Sequence, residues 1–231
     1  MAVRRDWAAV TTALDEHGWA RLPQLMTARQ CASARKLFER DRLFRSTVDM
    51  RRHGYGSGHY RYFTNPLPAL VDRLRTTLYP PLAAVARAWT ERLGNDPADY
   101  PPTLGGFLAR CHAAGQKRPT PLLLRYGVGD WNALHQDRYG DVAFPLQVLI
   151  VLSERGRDYD GGEVVLVEQR PRAQSRATAI TVDVGEGIVF TNRERPVRGT
   201  RGDYRVVMRH GVSVLTRGER YTLGIIFHDA A

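Results

Sequence analysis

His135-Gln136-Asp137, His210 and Arg220 are the residues of this chain whose types and spacing can do chemistry together. Side chains two apart on an extended segment point to one face. His135 and Asp137 can therefore aim an imidazole nitrogen and a carboxylate oxygen at one point. His210, arriving on a distant strand, makes the set two histidines and one carboxylate. That set takes one face of an octahedral iron(II) ion and leaves three positions open for a co-substrate and oxygen. Arg220 adds a permanent cation whose planar fork can pair with a carboxylate through two hydrogen bonds. Iron ligands together with a carboxylate-binding Arg point to an oxygenase that consumes a 2-oxo acid.

The elements that must position these groups read as strands. Leu122-Leu123-Leu124-Arg125-Tyr126 has the composition of one, Gly127-Val128-Gly129-Asp130 is turn chemistry, and Trp131 to Leu134 leads into His135. Leu146 to Leu152 is an apolar run, and Gly161-Gly162-Glu163 opens another at Val164 to Val167. Ala179 to Val184 and Gly187 to Thr191 flank the turn Gly185-Glu186. Arg205 to Leu215 and Tyr221 to Phe227 flank the turn Arg217-Gly218-Glu219. Short strands with regular turn signals predict an all-β sandwich or barrel for this half. His210 and Arg220 are expected on consecutive antiparallel strands joined by a short hairpin.

From Leu122 to its end the chain resembles the iron(II)/2-oxoglutarate-dependent oxygenases. The likeness rests on Arg125-Tyr126-Gly-Val-Gly-Asp-Trp-Asn-Ala-Leu-His135-Gln-Asp137, on Gly161-Gly162-Glu163, and on Arg209-His210 through Arg220-Tyr-Thr222-Leu. Within that superfamily, Arg125-Tyr126 to His135-Gln136-Asp137-Arg138 is similar to the AlkB-type nucleic-acid demethylases. Gly56-Ser-Gly-His-Tyr60-Arg-Tyr62-Phe63-Thr-Asn-Pro66-Leu-Pro68 resembles a bacterial group predicted to act oxidatively on damaged DNA bases. The resemblance implies an α+β fold with a double-stranded β-helix, or jelly roll, as its core. It implies iron held by His135, Asp137 and His210, with 2-oxoglutarate and O2 as co-substrates. Arg220 would pair with the distal carboxylate of 2-oxoglutarate, helped by Thr222 and Tyr126. The implied reaction is oxidative demethylation of alkylated bases: an N-methyl group hydroxylated in this way is lost as formaldehyde. Two positions depart from the AlkB pattern. Leu124 stands in place of an Asn that touches the co-substrate, and Ile226 in place of a second Arg near the metal. The alternative is a hydroxylase of a protein side chain or small metabolite with the same iron site.

With 231 residues, 43% of them hydrophobic, the chain is long enough for one domain with a proper core. Residues 1–115 read as mainly helical support plus a substrate loop, and 116–231 as the β-helix core. Helices are expected from Asp6 to His17, ending at Gly18, and from Cys31 to Phe44 behind the capping box Thr27-Ala-Arg-Gln30. Two more are expected over Leu67–Leu78 and Leu82–Leu93, separated by Pro80-Pro81, and another over Thr103–Ala114. They should pack on the outer face of the major sheet. No apolar stretch is long enough for a bilayer. The start, Met-Ala-Val-Arg-Arg-Asp-Trp, lacks the apolar core of a signal peptide. Cys31 and Cys111 have no metal-site spacing and read as buried free thiols in a reducing cytoplasm. His17 and His112 read as structural or solvated, His228 as a satisfied core histidine or one supporting the site rather than a ligand, and Asp141 and Glu163 as turn or solvent residues.

The net charge is +10, carried almost wholly by arginine. A basic surface favours polyanions such as DNA or RNA; the competing account is a compositional preference for Arg with no partner behind it. Arg193, Arg195, Arg198 and Arg201 cluster before the strand of His210 and are expected at the mouth of the iron site, against phosphates. The Gly- and Tyr-rich segment Arg51–Phe63 reads as a loop. Its Tyr60, Tyr62 and Phe63 either form a slot for an extruded base or cover the barrel as ordinary surface aromatics.

Overall fold

In a computed structural model, residues 5–137 and 140–231 are described. Met1–Arg4 and Arg138 of the motif lie outside them. The first half runs α1 (Trp7–His17), β1 (Trp19–Leu22), α2 (Ala28–Arg35), β2 (Phe44–Asp49), β3 (Gly56–Ser57), β4 (His59–Phe63), α3 (Ala69–Arg92) and α4 (Leu104–Ala113). The second half is all strand. It runs β5 (Leu122–Tyr126), β6 (Trp131–His135), β7 (Leu146–Val151), β8 (Tyr159–Gly161), β9 (Val164–Gln169), β10 (Arg176–Ile180), β11 (Gly187–Thr191), β12 (Glu194–Gly199), β13 (Gly202–Val212), β14 (Leu215–Gly218) and β15 (Arg220–Ile225).

The strands form a major sheet in the order β1-β11-β7-β15-β5-β4-β2 and a minor sheet in the order β10-β9-β13-β6-β3, with β12 paired to β13. This is the jelly roll expected. Major-sheet residues of one parity, among them Val148, Ile150, Leu223 and Ile225, pack with Phe227 on the helices against Leu78, Tyr79, Leu82, Phe107 and Leu14. The opposite parity, with Tyr126, Val151, Ile188 and Phe190, meets Val164, Leu166, Val206 and Met208 of the minor sheet. Alternation along each strand thus feeds two cores, each buried side chain contributing about 1.5–3 kcal/mol.

The helix starts follow their caps. Asp6 accepts from Ala9 N, and Thr27 and Gln30 form the reciprocal box. Four expectations are corrected. The helix over Cys31–Phe44 ends at Arg35, because Phe38 is drawn into the core and Phe44 begins a strand that lays its ring on Phe63 at 4.8 Å. The two helices around Pro80-Pro81 are one helix of 24 residues. The prolines leave the carbonyls of Thr76 and Thr77 without helical partners, but both threonines are on the exposed side, where solvent can reach them. The segment Arg51–Phe63 is not a loop: β3 joins the minor sheet beside β6, and β4 joins the major sheet beside β5. Finally, β13 and β15 are not a hairpin. β13 pairs with β6, β9 and β12, whereas β15 pairs with β5 and β7. The chain crosses between sheets through β14, at Gly218 (φ 73°), where any Cβ would lie 1.9 Å from the Asp158 carbonyl. His210 and Arg220 therefore stand on opposite sheets, both turned to the space between.

Candidate metal centre

β6 and β13 place the two imidazoles. His135 and His210 are directly opposite in the ladder, with ring centroids 4.2 Å apart. One extra residue in β6 between this pair and the Asn132–Val212 pair makes a bulge, a device that re-aims side chains. β6 ends at His135, so Asp137 reaches the site from the segment just beyond the strand rather than from within it. Its carboxylate lies 3.6 Å from His135 Nε2 and 3.3 Å from His210 Nε2. One ligand atom from each of the three residues falls within 4.8 Å of the other two. Neighbouring ligands on an octahedral face, at bond lengths of about 2.1 Å, sit about 3 Å apart. The donor set and its spacing fit such an ion after a small contraction.

The surroundings prepare the donors. His135 Nδ1 is 2.7 Å from the Ala133 carbonyl, which holds the proton there and leaves Nε2 as the donor. Burial opposes the ionised Asp137 carboxylate, but His210 and His135 outweigh it and hold its pKa well below the usual range. Burial lowers the pKa of His210 against the pull of Asp137, so it is readily neutral. Phe190 packs on His210 at 4.9 Å between ring centroids.

Arg220 is buried, with its guanidinium 5.8 Å from the centre of the Tyr126 ring and 5.9 Å from that of Tyr159. Its Nε and Nη1, and the Thr222 hydroxyl on the same face two residues on, have no hydrogen-bond partner. No acid among the described residues forms a salt bridge with it. A buried cation with unused donors fits an absent carboxylate, which is what the distal end of 2-oxoglutarate would supply. Tyr126 is opposite Arg220 in the β5–β15 register, and burial pushes its hydroxyl pKa up to about 12. Gly162 (φ 63°) makes room for the arginine: a Cβ there would lie 3.0 Å from Arg220 Cδ.

A cavity of about 430 Å³ opens above the triad. Its lining includes His135, Asp137, His210, Tyr126, Tyr60 and Tyr62. Tyr62, Leu122 and Ile226, with Tyr60 and Leu124 against them, make one wall apolar. The two departures from the AlkB pattern, Leu124 and Ile226, are both in this wall. Phe63 is not: strand alternation turns it into the helical core, fully buried.

The arginine cluster is dispersed. Arg195 is 0% exposed, paired with Glu168 and donating to the carbonyls of Asp15 (2.7 Å) and Glu16 (3.1 Å). Arg198 and Arg201 are exposed around the β12–β13 turn. Gly202 begins β13 eight residues before His210, a distance of about 26 Å along an extended strand. That turn is tied to the helices through Arg92 and Asp203 (3.0 Å), not to the cavity mouth. Arg193 is half-buried near the site, and its carbonyl accepts from Gln136 Nε2 at 3.0 Å.

Gln147, which no motif marks, lines the cavity with its Nε2 3.0 Å from His210 Nε2. Its signal in the sequence is a lone amide inside the apolar run Leu146–Leu152. His112 and His228 are structural, as expected: His112 pairs with Asp229 at 3.0 Å, and His228 Nδ1 accepts from Phe144 N at 3.1 Å. Glu163 is paired with Ser213 and Arg155, and Cys31 and Cys111 are buried free thiols. No helix among the described residues is long and apolar enough to cross a membrane.

Residues 58–230 match the family Oxygenase-NA, described as an oxygenase catalysing oxidative methylation of damaged DNA. Two uncharacterized proteins of Mycobacterium tuberculosis, from two strains, are each 56% identical over 169 residues, 73% of this chain and 72% of their own. Among solved structures, a prolyl-4-hydroxylase of Pseudomonas putida has a TM-score of 0.54 at 18% identity, covering 98% of this chain and 100% of that one. A 2OG-Fe(II) oxygenase-family oxidoreductase from Burkholderia pseudomallei gives 0.54 at 18%, covering 100% and 95%. The non-heme α-ketoglutarate-dependent epimerase SnoN of nogalamycin biosynthesis gives 0.55 at 15%, covering 95% and 81%. These three likenesses carry the fold.

Proposed function

Because this chain belongs to the Oxygenase-NA family and is an iron(II)/2-oxoglutarate-dependent oxygenase, we propose that it oxidatively demethylates alkylated bases of DNA or RNA. Iron with 2-oxoglutarate and O2 supplies the oxidation, in which the co-substrate leaves as succinate and carbon dioxide and one oxygen atom enters a substrate C–H bond. His135, Asp137 and His210 would hold the metal. Arg220 would take the distal carboxylate of the co-substrate, with Thr222 and Tyr126 beside it. Tyr60 and Tyr62 would border the base.

The observation that carries the substrate class is the wall of Tyr60, Tyr62, Leu122, Leu124 and Ile226 above the triad. A flat aromatic ring stacks on such a wall while presenting its methyl edge to the floor. Burial keeps the Tyr60 hydroxyl protonated, so the wall carries no charge of its own. Cys31 and Cys111, both unpaired, support a reducing cytoplasmic setting.

The test is succinate release measured across methylated oligonucleotides, peptides and amino acids. Turnover should require a methylated base and yield formaldehyde in equal amount. Turnover of a peptide or amino acid with none on oligonucleotides would replace this reading with a side-chain or metabolite hydroxylase using the same iron site.

A further inference from the structure

The apolar wall of the cavity does not stop at its mouth. His53 and Tyr55 stack there, with centroids 5.4 Å apart and planes inclined by 22°. Both are exposed, Tyr55 at 49%, and Tyr55 and Leu134 (48% exposed) edge the cavity itself. Rings and aliphatic groups left in water around a cavity mark a contact surface. This one is also held still. Tyr55 N donates to the Met50 carbonyl at 3.1 Å, and the Tyr55 carbonyl accepts from Ala133 N at 2.8 Å. Arg51 Nε donates to Ser57 Oγ at 2.9 Å and its Nη2 to Asp130 Oδ1 at 3.3 Å, while the Ser57 hydroxyl donates to the same carboxylate. A surface already ordered loses little freedom on binding. Arg51 and Arg52 stand on the same turn with exposed side chains, and the nearest acid to Arg52 is Asp49 at 3.6 Å.

We infer that the His53–Tyr55 pair stacks the base next to the one in the cavity, with Arg51 and Arg52 beside the phosphate that joins them. The partner is then a single-stranded nucleic acid crossing the mouth. This rests on the reading that the cavity takes a nucleobase. A stacked ring pair offers a flat face, which every base can use, and the flanking cations match a phosphate. A peptide would instead look for a ladder on an open strand edge, and β3, which edges the minor sheet here, is two residues long. A base inside a duplex has both faces covered by its own neighbours and cannot lie on the pair. Single strands should therefore be preferred.

The experiment uses the full chain with iron and 2-oxoglutarate and a short single-stranded oligonucleotide carrying one methylated base. The neighbouring nucleotide, on each side in turn, is either natural or abasic. Affinity is read by fluorescence anisotropy and turnover by succinate release. Base–aromatic stacking is worth enough that an abasic neighbour on one side should weaken binding by roughly five- to a hundredfold. In the His53→Ala/Tyr55→Ala double variant the natural and abasic oligonucleotides should bind alike. The inference is overturned if the wild type is indifferent to the neighbour on both sides, or if the double variant keeps the full preference. Either outcome, obtained with the methylated base still turned over, leaves the base-oxidation reading standing. Absence of binding and turnover with every oligonucleotide overturns both.

Discussion

His210 and Arg220 divide the chemistry at the scale of single residues. His210→Ala removes one of three donors from a buried site. Iron affinity measured by metal titration should fall at least about a hundredfold, with the far-ultraviolet circular dichroism unchanged. Arg220 has unused donors in a buried place; on the proposed reading its removal would leave the co-substrate carboxylate unpaired, at a cost of about 3–5 kcal/mol. Arg220→Ala should raise the 2-oxoglutarate KM roughly a hundredfold or more by that reckoning. Arg220→Lys should recover part of this, since an ammonium lacks the fork. An unchanged KM would mean that another cation holds the distal end. Arg195 has a different task. It is buried against Glu168, so Arg195→Ala should destabilise the fold by about 3–5 kcal/mol in urea unfolding. A stable variant with weakened oligonucleotide binding would return Arg195 to the substrate surface.

Among the elements, the turn before β9 matters most to the site. Gly162 has a positive φ, and a Cβ there would lie 2.7 Å from Leu215 Cδ1 and 3.0 Å from Arg220 Cδ. Gly162→Ala should displace the guanidinium and raise the 2-oxoglutarate KM several-fold while leaving iron affinity in place. Equal loss of both would show that the turn supports the whole sheet rather than the arginine. The crossing through β14 and the continuous helix α3 work at the same scale. One puts histidine and arginine on facing sheets. The other stays whole across two prolines because its inner face, from Leu74 to Trp89, is buried along its length.

For the molecule as a whole, stability should depend on pH through His228. Burial, opposed by Asp137 and reinforced by Arg75, lowers its pKa to about 4, against about 6.5 in an unfolded chain. Between these values the unfolded chain takes up a proton that the folded one refuses. Stability contributed by the neutral ring is therefore whole above about pH 6.5 and is lost as pH falls toward 4, amounting to about 2 kcal/mol at pH 5. In His228→Gln, where an amide oxygen can still accept from Phe144 N, the loss between pH 7.5 and pH 5 should be smaller by about that amount. Equal losses in both proteins, measured by urea unfolding, would show that His228 is not the group responsible.

The sequence by itself determined the donor set, the strand-rich second half, the helix starts at Asp6 and Thr27, and the buried state of both cysteines. Each of these follows from local chemistry: caps, turn residues, alternation, and side chains that bind metal. It also singled out Tyr60 and Tyr62, which line the cavity, but it could not separate them from Phe63. Which parity of β4 faces the cavity depends on the partner strand β5. Only the tertiary structure decided that Arg195 is buried while Arg198 and Arg201 lie at a turn away from the mouth, that Phe44 extends a sheet, and that Gln147 meets His210. These facts depend on which distant segments are brought alongside, and such pairings are selected by the packing of two cores at once. Local preference does not encode them, because the same short run of residues is compatible with either face, either sheet, or a helix in place of a strand.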